Sequence, residues 1–199
     1  MEIAMKYYKI LNEKENHRGL QYYDGLNIDI LPFDPSGSCE PGGIYFSRKD
    51  ILAFIDYGPW IREVTLPPDA QVYKDHDDIE KWKADKVILG KRRRINAEVI
   101  QSLLNEGCNA KVEDSFALQW AAYNGHTEIV KLLIPHSDVK SLNSSALRWA
   151  ARHGHTEIVK LLIPLSNVKD CDSEALRWAS ENGHTEIVKL LKNAMSNNS

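Results

Sequence analysis

Apolar residues recur at helical spacing along the second half of the chain, and come in short alternating runs along the first half. In the stretch from Ser145 to His153, Leu147, Ala150 and Ala151 stand at i, i+3 and i+4, the pattern of a helix with one buried face. Gly154 stops that helix, because glycine adopts the left-handed backbone of a helix end without a Cβ clash. A second helix is expected at once over HTEIVKLLIP, with Thr156 or its neighbour as N-cap and Ile158, Val159, Leu161 and Leu162 inward. Glu157 and Lys160 form a surface pair on it, and Pro164 marks its end.

The same helix pair occurs three times without gaps, as ALQWAAYNGHTEIVKLLIP from Ala117, ALRWAARHGHTEIVKLLIP from Ala146 and ALRWASENGHTEIVKLLKN from Ala175. Gly125, Gly154 and Gly183 set the period at 29, and GHTEIVKLL is identical in all three. One such pair cannot bury its apolar face alone, so the units must stack. They are placed at 115–140, 144–169 and 173–193. Upstream, AEVIQSLLNEGCNAK from Ala97 aligns at the same offset, with Leu103-Leu104 on Leu132-Leu133, and reads as a capping half-repeat over 97–111. Lys192 replaces Ile134 and Ile163 in the last unit, so a polar C-terminal cap and a frayed tail over 194–199 are expected.

From Met1 to Gly90 the runs YYKIL, GGIYFS, REVTLP, AQVYK and KVILG are β-branched or aromatic and are bounded by Gly, Pro and Asp, while Arg48 to Tyr57 predicts a helix. Six of the eight prolines and seven of the eleven glycines precede Arg92, which fits tight turns. An α+β domain over 1–90, a basic linker over 91–96 and an all-α repeat region over 97–199 are therefore expected.

Composition narrows the function classes. The 199 residues carry 25 Lys plus Arg against 28 Asp plus Glu, a formal charge of -3 that argues against an electrostatic nucleic-acid binder. The longest aliphatic and aromatic stretch, Ile51 to Ile55, is far below the ~18 residues of a membrane span. No secretory leader is visible at MEIAMKYYKI, and Cys39, Cys108 and Cys171 are odd in number and far apart, as free thiols would be. An intracellular protein that needs no cofactor is expected, with its oligomeric state left open.

The repeated motifs resemble the ankyrin repeat, whose first helix reads TPLHxAA and whose second reads GHxEVVKLL. Here the first motif stands as FALQWAA, SALRWAA and EALRWAS, and the second nearly as in the family. The resemblance implies a solenoid of helix pairs with the first helices lining a concave face. The family period is about 33; the missing residues fall in IPHSDVKSLNSS, where the family carries a β-hairpin, so a shorter turn is expected. The first half, through HRGLQYYDGLN, LPFDPSGSCEPGGIYFS, FIDYG, VTLPPDAQVY and KADKVIL, resembles an N-terminal domain of giant amoeba virus repeat proteins of the Mimivirus kind. No activity follows from that second resemblance.

Positions that differ between otherwise identical units are candidates for recognition, since the shared scaffold does not dictate them. They are Gln119, Arg148 and Arg177; Tyr123, Arg152 and Glu181; and Asn124, His153 and Asn182, all on first helices. Trp120, Trp149 and Trp178 recur beside them as a ladder that either anchors a partner or packs between units. His126, His155 and His184 are too far apart for one metal ion if helices stack ~8–10 Å apart, and read as structural turn residues.

Lys91 to Arg94 reads as a solvated linker and GSCEPGG as a turn lacking the Lys-Ser/Thr of a phosphate loop. The expected function is non-catalytic binding of a protein partner, which the viral resemblance makes a host protein met in the host cytoplasm. The alternative is an enzyme similar to an ADP-ribosyltransferase, in which His17, Tyr45 and Glu63 of the first domain would surround NAD. That reading requires those three side chains to line one cleft.

Overall fold

A computed structural model describes residues 6–36 and 40–197. The chain divides into two compact units, Met1–Asn109 and Ala110–Ser199. Cys39 and the first part of the GSCEPGG segment lie outside the described residues.

The first unit is strand-rich. β1 (Tyr7–Leu11) pairs antiparallel along its whole length with β6 (Trp60–Thr65), from Tyr7 opposite Val64 to Leu11 opposite Trp60. The other edge of β6 takes β9 (Lys86–Leu89) at Val64 and Thr65, and β9 in turn pairs with β4 (Gly25–Ile28). A second sheet has the order β5 (Ile44–Phe46), β8 (Trp82–Ala84), β7 (Val72–Lys74). The sheets are joined where Tyr8 and Ser47 exchange backbone hydrogen bonds of 2.7 and 2.9 Å. Their shared core holds Leu11, Tyr22, Ile44, Phe46, Val64, Val87 and Leu89. A short hairpin of β2 (Asn16–His17) and β3 (Leu20–Gln21) turns through Arg18 and Gly19, both at positive φ, as a two-residue hairpin loop prefers. The helix expected over Arg48 to Tyr57 is a 3-10 helix, Ile51–Tyr57, that buries Ile51, Leu52 and Ile55.

Lys91 to Arg94 are exposed, as a solvated linker would be, but the run is tied to the strands of the first unit. Arg93–Arg94 forms β10, paired with Ile61 and Trp60 of β6. The Arg92 guanidinium reaches Glu15 at 2.9 Å and lies 4.6 Å from the Trp60 ring centre. Helix α1 (Ala97–Asn105), which the sequence assigned to the repeat array, counts with the first unit. The Tyr8 hydroxyl donates to Glu106 at 2.7 Å, and Asn109 donates to the Lys49 carbonyl and to Asp50. A basic run next to aromatic rings and a buried acid is drawn into the sheet by that environment.

The second unit is three helix pairs: α2 (Val112–Tyr123) with α3 (Thr127–Leu133), α4 (Ser141–Arg152) with α5 (Thr156–Leu162), and α6 (Asp170–Glu181) with α7 (Thr185–Asn197). First helices pack on first helices and second on second. Ile158, Val159 and Leu162 are buried as expected, while Leu161 is half-buried. His155, rather than Thr156, takes the N-cap position, and its side chain makes no capping bond. The frayed tail expected over 194–199 is instead helical through Asn197, since this unit lacks the proline that ends α3 and α5.

No strand occurs among the described residues of this unit. In place of a hairpin, each first helix has one left-handed turn within its first residues: Glu113-Asp114-Ser115, Leu142-Asn143-Ser144 and Cys171-Asp172-Ser173, all at φ between 46 and 62°. Each turn closes with a Ser N–H donating to a lysine carbonyl four residues back, at 3.2, 3.1 and 3.3 Å. Left-handed backbone costs about 1–2 kcal/mol per ordinary residue, and the central position is Asp or Asn, the types that tolerate it best. The serine hydroxyls offset the rest by accepting from the loop after the second helix, Ser115 from Asp138 N–H at 2.8 Å and Ser144 from Asn167 N–H at 3.1 Å.

Between units the decisive contact is at the glycines. Gly154 has φ +78°, and a Cβ placed there would lie 2.6 Å from the His184 ring; Gly183 has φ +74° with nothing within 4 Å. Gly183→Ala should therefore cost only the backbone strain, about 1 kcal/mol, while Gly154→Ala also displaces His184 and should cost about 1–3 kcal/mol more. Urea denaturation of the two variants measures the difference, and equal losses would mean the histidine contact carries no stability.

Candidate functional site

The first-helix residues predicted from between-unit variation fall into two groups. Some are committed to the scaffold. Arg148 donates from Nη2 to the Leu142 carbonyl at 2.8 Å and from Nε to the Asn143 carbonyl at 3.2 Å, so it caps the left-handed turn of its own unit. It also ion-pairs with Glu174 of the next unit, and its side chain is only 18 % exposed. Gln119 repeats the role, donating to the Asp114 carbonyl at 2.8 Å. Asn124 and Asn182 each donate to a carbonyl in the last turn of their helix, those of Trp120 and Trp178, at 2.8 Å. Variation at these positions thus reflects alternative ways of capping backbone as well as recognition. Arg177 takes Glu174 at 3.1 Å and lies 4.0 Å from Glu181, all on one face of α6.

The other group forms a continuous surface. Tyr123, Arg152 and His153 are exposed, and the three tryptophans are half-buried. The Tyr123 ring centre lies 5.6 Å from that of Trp149 and 4.3 Å from that of His153. Trp149 and Trp178 are 5.4 Å apart across the unit boundary, and the Arg152 guanidinium sits over both, at 5.4 and 5.0 Å. Trp120 packs on His126 at 4.9 Å. The tryptophan ladder therefore packs across units and keeps one edge toward solvent. Burial and the neighbouring His155, Arg152 and His184 charges hold His153 below its ordinary pKa, so it faces this surface as a neutral ring at pH 7.

The turn histidines have partners of their own. His155 Nε2–H donates to the Tyr123 carbonyl at 2.9 Å and His184 Nε2–H to the Arg152 carbonyl at 3.0 Å, each reaching the preceding unit. Buried Cys108, its thiol pushed up to about 12 by burial, is an inert thiol.

The first-unit trio is not assembled. His17 and Tyr45 both line a cavity of about 120 Å³, but Glu63 does not. It stands on β6 and pairs with Lys6 at 2.9 Å. The Tyr45 hydroxyl donates to the Glu40 carbonyl at 2.9 Å, and His17 Nδ1 meets the Tyr57 hydroxyl at 3.2 Å. Without the carboxylate in the cleft, the NAD-binding arrangement that the alternative reading required is absent from these three residues.

Sequence reasoning missed Lys9. This residue is 7 % exposed, donates from Nζ to the Tyr45 carbonyl at 2.7 Å and lies over the Tyr22 ring. Burial lowers its pKa from the ordinary 10.5 to about 7, against a small opposing pull from Asp29.

Comparison with known proteins matches a family model described as ankyrin repeats (3 copies) over residues 92–172 and 138–199, more than half of the chain. The chain belongs to the ankyrin repeat family. Three relatives come from Acanthamoeba polyphaga mimivirus. Two are named as ankyrin repeat proteins: one is 37 % identical over 140 residues, covering 63 % of this chain and 46 % of its own length. The other is 36 % identical over 135 residues, covering 64 % and 66 %. The third, named only as uncharacterised, is 37 % identical over 133 residues, covering 64 % of this chain and 96 % of its own length. The chain thus spans about half to two thirds of the two named relatives. Among the described residues, no helix is long and apolar enough to cross a membrane.

Two measurements check these assignments. Arg148→Ala leaves two turn carbonyls and Glu174 without their donor and should destabilise the ankyrin repeats by about 1–3 kcal/mol, whereas Arg152→Ala, on the surface, should stay within about 0.5 kcal/mol. Chemical denaturation distinguishes them. Separately, Lys9 has a depressed folded pKa, so the unfolded chain binds more protons between pH 7 and 10.5 and stability rises across that window. Lys9→Met should flatten this rise in melting temperature measured from pH 7 to 10.

Proposed function

We propose that the ankyrin repeats form a short solenoid and bind another protein through the surface of Tyr123, Arg152, His153 and the tryptophan edges. The ankyrin family supports the general class, a protein–protein interaction module. The observation that carries the finer reading is the combination at this surface. Its scaffold is repeated residue for residue, yet its exposed side chains differ from unit to unit and are of the types that dominate binding hot spots. The stacked rings are already ordered by Arg152 and by one another, so a partner would meet a preorganised surface and lose little side-chain entropy there. Because the relatives are mimivirus proteins, the partner we infer is a protein of the amoebal host, met in its cytoplasm.

The full chain and its Tyr123→Ala/Arg152→Ala/His153→Ala variant can be compared as baits in quantitative capture from amoebal lysate. Arg148 is left in place because its loss would disturb the fold. Proteins captured by the wild type should fall at least tenfold with the variant while its melting temperature is retained. Unchanged capture would reject this surface.

A further inference from the structure

The cavity that His17 and Tyr45 line combines apolar walls with basic side chains. Ile10, Phe46, Ile51 and Phe54 supply apolar surface; Lys9, Arg18 and Lys81 supply basic nitrogens, and His17, which burial holds below its ordinary pKa, supplies a ring that is neutral at pH 7; no carboxylate is among its described lining residues. Lys81 has acids behind it, Asp75 at 3.3 Å and Asp77 at 3.6 Å. Lys9 differs: it is more than nine-tenths buried and makes no ion pair among the described residues. Its one hydrogen bond goes to the Tyr45 carbonyl, which leaves it short of the three acceptors an ammonium can engage. A buried ammonium in that state is costly, and a protein that keeps one beside an open cavity has a place for a counter-charge that enters from outside.

The volume limits the guest. A cavity of about 150 Å³ lined by aliphatic and aromatic side chains holds benzene, so about 120 Å³ that is partly open to solvent admits one small ring. We propose that this cavity binds a small aromatic carboxylate, with the ring among Ile10, Phe46, Ile51 and Phe54 and the carboxylate on the Lys9 ammonium. Apolar walls with a few convergent polar groups are the ordinary make-up of a small-molecule site. The site is separate from the repeat surface and does not depend on it.

Binding is coupled to protonation, because only the charged form of Lys9 pairs with the anion. Burial lowers its pKa to about 7 and Asp29 opposes this; Arg18, Lys81 and His17, itself held below its ordinary pKa by burial, share the cavity, while Tyr8, Tyr45 and Tyr57 present hydroxyl-bearing rings. Raising the pH from 6 to 8 reduces the protonated fraction about tenfold, and the apparent affinity for benzoate follows it. Above pH 7 each benzoate takes up close to one proton.

Calorimetric titration of the full chain with benzoate, in two buffers of different ionisation enthalpy, tests this. Saturable one-to-one binding at pH 6, a roughly tenfold loss at pH 8 and a buffer-dependent enthalpy at pH 8 are expected. Benzyl alcohol, the same ring without the charge, should bind at least tenfold more weakly at pH 6, and so should inorganic phosphate, a charge without the ring. Lys9→Met should lose benzoate binding at both pH values while melting no lower than the wild type, and His17→Gln should keep the pH dependence. Absence of saturable benzoate binding at pH 6, equal binding of benzyl alcohol or phosphate, or unchanged binding by Lys9→Met would each overturn the proposal. The benzyl alcohol comparison needs no variant and decides the question even if Lys9→Met fails to fold.

Discussion

The repeat region depends on one contact, the seating of the second and third units' turn histidines against the glycine of the unit before each. Gly125 and Gly154 end their helices in left-handed backbone, and the His155 and His184 rings approach so closely that a Cβ at either glycine would stand 2.7 or 2.6 Å from ring atoms. The same rings donate to the Tyr123 and Arg152 carbonyls, acceptors that the end of the preceding first helix leaves unsatisfied. Helix termination, helix capping and unit-to-unit spacing are thus one arrangement. Changing either residue of such a pair breaks all three, which accounts for Gly-His within the stretch GHTEIVKLL that all three units share.

A short period has a second requirement. Where the longer ankyrin unit reverses the chain through a hairpin, this one has a single left-handed turn, and left-handed backbone in ordinary residues persists only when its surroundings over-determine it. Serine at the end of the turn and Gln119 or Arg148 one helical turn later provide that, by engaging the loop N–H and the turn carbonyls. The cap residue is free to change from glutamine to arginine because both reach a carbonyl. That freedom made the position look like a recognition site.

The helix pairs, their period, the glycine stops and the strands at Tyr7–Leu11 and Trp60–Thr65 were legible in the sequence, because each rests on local periodicity or on a residue with unusual backbone freedom. The Asp/Asn-Ser signature of the left-handed turn was also present at the period of 29, at Asp114-Ser115, Asn143-Ser144 and Asp172-Ser173, and could have been read. What could not be read depends on distant partners. β10 and α1 join the first unit through Ile61, Trp60 and Tyr8, residues far along the chain. Arg62, on β6 between Ile61 and Glu63, breaks the alternation of a strand because Glu15 and the Gly90 carbonyl receive it 3 % exposed. For the candidate site, Tyr123, Arg152 and His153 were legible from variation and the tryptophans from recurrence, but the division of the varying positions into caps and exposed surface required the hydrogen bonds.

The two units treat positive charge in opposite ways. The repeats keep most of theirs near water, where Lys131 and Lys160 pair with glutamates one turn back and contribute little to stability. The first unit buries Lys9, Arg62, Lys81 and Lys83. Arg62 has Glu15, and Lys81 has Asp75, while Lys83 reaches the Ser36 carbonyl between the Tyr45 and Tyr73 rings. Desolvating an ammonium costs several kcal/mol, and rings and carbonyls return only part of that. An apolar side chain at Lys9 would stabilise the same sheet at no such cost. The positive charge that Lys9 brings to the cavity lining is therefore a property of the site rather than of the fold, and in the proposed complex it meets an anion whose ring lies against the apolar walls.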